Sequence, residues 1–323
     1  DPGRVDMVGE FLEDKEFRHE SREFVSITGK YHGERITVLS TGIGTDNIDI
    51  VLTELDALAN VDFKTREVKP EHRTLTILRI GTSGAIQPDI PIGSFIFSEI
   101  SVGCDGLMNW YANRDKINIP DMEDAFKVHT HWNAYLGSPY FVKAGEKLIE
   151  AFKEETVRGV TISAQGFYGP QGRVVRLPLA MPDMLDAFES FRFGEYRITN
   201  FEMESSAVTG LAAQLGHQAG TIPAVPIPPS CPMASMSSVR APSRAAEIAA
   251  VHPAGPPPTT NTSHSLSTVT FLPFRETRFP LVAACAPPMA GMADATANVP
   301  AVFIKSLLLL ILLVYIGICY AKI

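Results

Sequence analysis

Apolar residues gather in short runs stopped by glycine, and stretches of helical spacing lie between them. Arg35-Ile36-Thr37-Val38-Leu39-Ser40 is β-branched and apolar and breaks at Thr41-Gly42-Ile43-Gly44, which predicts a buried strand entering a tight loop. Over 46–59 the residues Ile48, Ile50, Val51, Leu52, Leu55, Leu58 and Ala59 have helical spacing, with Asp46 placed to cap the start. The same unit recurs at Leu75 to Ile80, closed by Gly81-Thr82-Ser83-Gly84, and a third strand is expected over Ser94 to Ile100. Further along, the pattern predicts helices over Tyr140 to Phe152, Met184 to Phe191 and Ser205 to Leu215. It predicts strands over Val157 to Ser163 and Ile198 to Phe201, with a glycine- and aromatic-rich loop from Gly166 to Gly172. Strands alternating with helices mean an α/β domain with a parallel or mixed sheet, and such sheets bind ligands at the carboxyl ends of their strands.

This pattern stops near Gly220. Of 24 prolines, 15 fall in the last 103 residues, and five of them lie between Thr221 and Pro232. Residues 241–300 mix Ala, Pro, Ser and Thr with no sustained period, a composition that cannot bury a core and reads as disordered. The chain therefore divides into a folded domain, 1–220, and a Pro/Ala/Ser-rich tail, 221–323. The tail ends in fifteen uncharged, mostly aliphatic residues, 307–321, short of the ~20 that a bilayer crossing needs. A membrane anchor is the less favoured reading of that run.

Charge follows the same division. The tail carries six Lys+Arg and three Asp+Glu of the chain's 28 and 36, so residues 1–220 hold 22 and 33. An excess of eleven negative charges argues against nucleic-acid binding, which depends on neutralising many phosphates. One small anion is a different matter, because two or three arginines with backbone amides suffice. The four cysteines, Cys104, Cys231, Cys285 and Cys319, form no CxxC, which suits a reducing, cytoplasmic setting without a zinc site. Asp1-Pro2-Gly3-Arg4 is neither an initiator nor a secretory leader, so the chain is expected to begin within its domain.

Polar side chains cluster at the predicted strand ends. Arg79, closing an apolar strand, needs a partner: either an anionic ligand, with Gly81 and Gly84 letting backbone amides approach it, or a structural carboxylate. Glu202 and Glu204 flank Met203, and alternation along a strand would send their carboxylates to opposite sides, one facing a ligand and one structural. A carboxylate so placed can accept from a vicinal diol such as ribose, or simply favour a helix N-terminus. Gln171 and Arg173 offer an amide and a donor fork, which matches a ring edge with adjacent carbonyls and N–H, with Phe167 available to stack; an ordinary turn accounts for them too. His129 and His131 have no carboxylate or cysteine at ligand spacing, so no metal is expected.

Taken in order, Asp1-Pro2-Gly3-Arg4-Val5, Ser21-Arg22-Glu23-Phe24, Ser40 to Gly44, Arg79 to Pro88, Gln171-Gly172-Arg173 and Phe201-Glu202-Met203-Glu204-Ser205 resemble the nucleoside phosphorylase family, and most closely its uridine phosphorylase branch. The resemblance covers residues 1 to about 220. It implies a three-layer αβα sandwich around a twisted mixed sheet. It also implies phosphorolysis of uridine to uracil and ribose 1-phosphate, with inorganic phosphate as co-substrate and no cofactor. Arg4, Arg79 and Thr82 would hold phosphate, and Arg22 would reach into the neighbouring site of a homodimer or hexamer. Met203 and Glu204 would hold ribose, and Phe167, Gln171 and Arg173 the base. Arg79, Thr82 and Glu204 would form the catalytic set. A purine or broad-specificity phosphorylase, or a hydrolytic nucleosidase, is the rival within the enzyme class; an inactive interaction protein that retains the fold is the rival outside it.

Two departures accompany the resemblance. The family's first strand and the glycine preceding Asp-Pro lie upstream of residue 1. After Ile222, prolines replace the last core strand and closing helix, so a changed reading frame near Thr221 and a poorly stable product are expected.

Overall fold

The computed structural model describes residues 2–154 and 156–225. The tail from 226 onward, including the apolar run 307–321, lies outside the described residues. In chain order the elements are α1 (Pro2–Gly9), β1 (Glu13–Ser21), β2 (Phe24–Tyr31), β3 (Glu34–Leu39), α2 (Thr45–Asn60), β4 (Val61–Asp62), β5 (Glu67–Val68), β6 (Thr76–Thr82), β7 (Gly84–Ala85) and β8 (Ile96–Gly103). They continue with α3 (Pro120–Thr130), β9 (Tyr140–Lys143), α4 (Glu146–Phe152), β10 (Val157–Ser163), α5 (Met184–Ser190), β11 (Arg192–Phe193), β12 (Tyr196–Glu202), α6 (Ser205–Gln214) and β13 (Gln218–Ala224).

The strands β12, β10 and β8 run parallel and adjacent, with β9 antiparallel on β8 and β11 antiparallel on β12. Next to β8 lies the parallel pair β6–β13, joined to it through Phe95 and Ala224. A three-stranded antiparallel meander, β1–β2–β3, packs Val25 and Ile27 against Val5 of α1. On one face of the sheet Met122 and Phe126 of α3 and Phe188 of α5 pack over Val102, Ile162 and Ile198. On the other, Ile48 and Leu52 of α2 meet Val208 and Leu211 of α6. Helices on both faces of a mixed sheet give the expected three layers.

Several sequence expectations are corrected here. Tyr140 to Lys143 is a strand, since Tyr140, Phe141 and Val142 are all buried, which a one-sided helix would not allow; the helix begins only after Gly145. Asp46 does not cap α2, because the helix starts one residue earlier, at Thr45, with Gly44 at the cap. β1 carries a single large apolar residue, Phe17, and every position in it is exposed, so no periodicity announced it. The boundary drawn at Gly220 falls inside β13. That strand stays buried through Pro223 to Ala224, in register with Gly81 and Thr82 of β6. A proline fits because Gln218 and alternate residues after it turn their N–H groups toward β6, so position 223 needs none on that side. The part of the last core strand that falls within the described residues, Gln218–Ala224, is present and paired with β6; the closing helix and the changed reading frame concern residues beyond 225, outside the described residues.

The turn from α6 into β13 is secured by His217, which is buried. Its Nδ1 accepts the Leu75 backbone N–H at 3.2 Å, so the neutral ring carries its proton on Nε2, 3.1 Å from Asp56 Oδ1. Burial lowers the His217 pKa, with Asp56 opposing and His72 adding to the effect. Above about pH 6.5 the ring is neutral in folded and unfolded chains alike. Below it the unfolded chain takes up a proton that the folded chain resists, so stability falls as pH drops. The melting temperature should therefore decline from pH 7.5 to 5.5. His217→Gln should cost about 1–3 kcal/mol at pH 7.5 through the unmatched Leu75 N–H and make that decline shallower. An unchanged slope in the variant would contradict this assignment.

Candidate functional site

The parallel strands β10 and β12 end side by side at Ser163 and Glu202, and β6 brings Arg79 to Glu202, so polar side chains of three strands meet at this rim of the sheet. Arg79 lies three residues from the end of β6, and its side chain is 16% exposed. Its Nη1 stands 3.1 Å from Glu202 Oε2, and its Nη2 is bonded to Glu204 Oε2. Gly81 makes this fold-back sterically feasible, because a Cβ there would overlap the guanidinium.

Glu202 ends β12 and is buried. It accepts from Ser163 Oγ at 2.6 Å, from Ser205 Oγ at 2.7 Å and from the backbone N–H groups of Glu204 and Ser205. Those amides open α6, where a carboxylate satisfies donors that have no helical partner. Glu204 is the cap residue of α6, also buried, and accepts the Gly44 N–H at 2.8 Å. Gly44 has φ 92°, a conformation that favours glycine and turns its amide toward the carboxylate. The expectation that Glu202 and Glu204 point to opposite sides is overturned. The strand ends at Glu202, so the alternation of two no longer governs Glu204, and both carboxylates reach one guanidinium.

Arg4, half-buried on α1, belongs to the same group of charges. Burial lowers its pKa and so does repulsion from Arg79, while Glu204 raises it. Burial likewise raises the Glu204 carboxyl, with Arg79 opposing and Glu202 adding. Two cations and two anions thus share this rim. Arg79 Nη1 is buried without a hydrogen-bond acceptor among the described residues, so the site holds an unspent donor. Of the other phosphate candidates, Thr82 is exposed at the end of β6, and Arg22 is exposed at the β1–β2 turn with φ 56°. That turn is tied to the loop after β3 by Ser40 Oγ, which donates to the Glu23 carbonyl at 2.6 Å. Met203 is half-buried in the bend between β12 and α6.

The expected base readers form a unit of their own. Gln171 is buried in a short 3-10 turn, and Arg173 Nη1 donates both to its Oε1 and to the Phe167 carbonyl. The Arg173 guanidinium lies 3.9 Å from the centroid of the Phe167 ring. One face of that ring is therefore already covered by a cation, where stacking on a base had been expected. Arg173 and Tyr168 also border a cavity of about 710 Å³ whose apolar wall includes Trp132, Met181, Met184 and Phe188.

Sequence reasoning marked Gly44 as part of a motif but gave it no contact, and it assigned no role to Ser163 or Asp105. Asp105 accepts from Ser206 Oγ, Tyr140 Oη and the Leu107 amide, and burial raises its pKa. Ser163 sits where a recognised strand stops, which was the available signal, whereas Asp105 lies beyond the end expected for its strand at Ile100, because β8 runs on to Gly103. His129 bonds to the Ala187 carbonyl and Ser190 Oγ. The ligand atoms of Asp56, His72 and His217 lie within 4.8 Å of one another, but the Nε2 proton of His217 is incompatible with metal ligation.

A family model described as phosphorylase superfamily matches residues 1–226. A uridine phosphorylase from Thermococcus kodakarensis is 30% identical over 234 residues, covering 70% of this chain and 69% of its own. A guanosine phosphorylase from Halorubrum lacusprofundi is 26% identical over 222 residues, covering 69% of this chain and 73% of its own. A solved Trypanosoma brucei nucleoside phosphorylase, described as showing uridine phosphorylase activity, superposes with TM-score 0.63 at 28% identity and covers 70% of this chain and 81% of its own.

The charge balance at the rim predicts a stability effect. Arg79→Met leaves two buried carboxylates facing each other and should cost about 3–5 kcal/mol in urea unfolding. Adding Glu204→Gln to it should restore part of the loss, whereas additive losses would show that the two groups are not coupled.

Proposed function

We propose that this chain, which belongs to the phosphorylase superfamily, cleaves a pyrimidine nucleoside, uridine first, by phosphorolysis in nucleoside salvage. The observation that supports this most is the buried pairing of Arg79 with Glu204 beside Arg4. Each group in that pair occupies the place a substrate group would take. The guanidinium stands where hydroxyl donors of a sugar would meet Glu204, and the carboxylate stands where an oxyanion would meet Arg79.

When substrates bind, phosphate takes Arg79 and Arg4 with the Thr82 hydroxyl, and Glu204 exchanges its guanidinium for the 2′ and 3′ hydroxyls of ribose. Met203 lies along the sugar. A phosphate oxygen then forms a bond to C1′ as the C1′–N bond breaks, and that electron pair passes to the base. The base takes up a proton from water, leaving uracil and ribose 1-phosphate. Positive charge develops on the sugar above the bound phosphate, and negative charge on the base is met by Gln171 and Arg173, so positioning and fixed charges carry the catalysis. An amide beside a guanidinium matches the carbonyl and N–H edge of uracil. Relatives named for guanosine and purine substrates stand close to those named for uridine, which makes the base the feature to test. In a homodimer or hexamer, Arg22 on its exposed turn would complete the phosphate site of a neighbour.

Initial rates of base release from uridine and inosine, with and without phosphate, test the proposal. Uracil release should require phosphate and exceed hypoxanthine release, and Arg79→Ala should lower it by about 10²–10³-fold. A rate indifferent to phosphate would make the enzyme a hydrolase. Because burial raises the Glu204 pKa, kcat/KM should fall on the acid side at a pH above the ordinary carboxylate value of about 4. Glu204→Gln should remove that acid limb along with most of the rate.

A further inference from the structure

The two oxygens of Glu202 are fully used. Oε1 accepts from Ser163 Oγ at 2.6 Å, Ser205 Oγ at 2.7 Å and the Ser205 N–H at 3.0 Å; Oε2 accepts from the Glu204 and Ser205 N–H groups, each at 2.9 Å, and lies 3.1 Å from Arg79 Nη1. A carboxylate has about four lone-pair sites, so none remains for a substrate. Its side chain is 1% exposed, which shields it from solvent as well. Ser163 is held in turn, since its Oγ accepts the Ser206 N–H at 2.8 Å. The ends of β6, β10 and β12 and the first turn of α6 are therefore joined through one side chain.

We propose that Glu202, braced by Ser163, is a positioning residue that sets the angle of the Arg79 guanidinium toward phosphate, a role that rests on the phosphorolytic reading above. Its contact with Nη1 lies outside hydrogen-bond geometry, so it holds the guanidinium by charge while leaving the Nη1 protons for an acceptor. The same carboxylate fixes the Glu204 amide, so the oxyanion donor and the sugar acceptor are aligned by one group.

Charge and position give opposite expectations for phosphate. As charge alone, Glu202 opposes an arriving anion: Glu202→Asp would leave phosphate affinity at the wild-type level and Glu202→Gln would strengthen it. As a positioning group, Glu202 must reach Arg79 and the α6 amides together, and shortening it by a methylene breaks that span. The test is titration of the full chain and its variants with inorganic phosphate by calorimetry, with no nucleoside present. Glu202→Asp, Glu202→Gln and Ser163→Ala should each weaken phosphate about tenfold, in line with the cost of misplacing a preorganised group. Ser163→Ala keeps every charge and decides the matter if a Glu202 variant does not fold. Affinity unchanged in Glu202→Asp and Ser163→Ala, or tightened in Glu202→Gln, overturns the proposal. So does a lowered melting temperature with unchanged phosphate affinity, which is the mark of a merely structural role. Because no nucleoside enters this titration, a failure of uridine turnover would count against the substrate reading alone.

Discussion

A buried guanidinium must meet anions, and in this chain that requirement organises the whole rim of the sheet. Arg79 comes from β6, Glu202 from the end of β12, Glu204 from the cap of α6, and Arg4 from α1. These positions are far apart in sequence, so they come together only if the parallel strands are ordered and in register. The fold thus places two cations and two carboxylates in a partly desolvated space, where each interaction is stronger than in water and each missing partner is costly. In the function proposed above such a site exchanges partners, since it is closed on itself and has the polar groups to receive a sugar and an oxyanion.

Support for these charges lies in groups that do no chemistry of their own. Gly81 and Gly44 give the backbone room and direction, while Ser163, Ser205 and the first amides of α6 fill the lone pairs of Glu202. Just after β8, Asp105 ties Tyr140 of β9 to Ser206 and so fixes the start of α6 a second time. Rigid strand ends and a capped helix allow a few side chains to be held closely enough for preorganised electrostatics to matter.

Much of this was legible in the sequence, for a physical reason. Strands ending in glycine and carrying arginine or glutamate near their last residues point to the sheet and its rim and to Arg79, Glu202 and Glu204 there, whereas Arg4 follows from the family resemblance alone. What escaped had no local signal or a misleading one. β1 is exposed along its whole length and is held by pairing with β2 and by surface ion pairs such as Arg35 with Glu16. The run from Tyr140 to Phe152 hides a strand and a helix under one apolar pattern, separated only by Gly145. Pro223 looked like a strand breaker, yet its place in β13 depends on which side of the strand is paired, and that is a tertiary fact. Alternation failed at Glu204 for a similar reason, since the strand had already ended.

The central claim is that Arg79 and Glu204 hold each other only until substrates part them. A crystal structure of the chain with inorganic phosphate and uridine tests this most directly. The account predicts phosphate oxygens on the guanidinium of Arg79 and the carboxylate of Glu204 turned onto the two ribose hydroxyls. An Arg79–Glu204 pair left intact, with phosphate and nucleoside bound elsewhere on the surface, would contradict it.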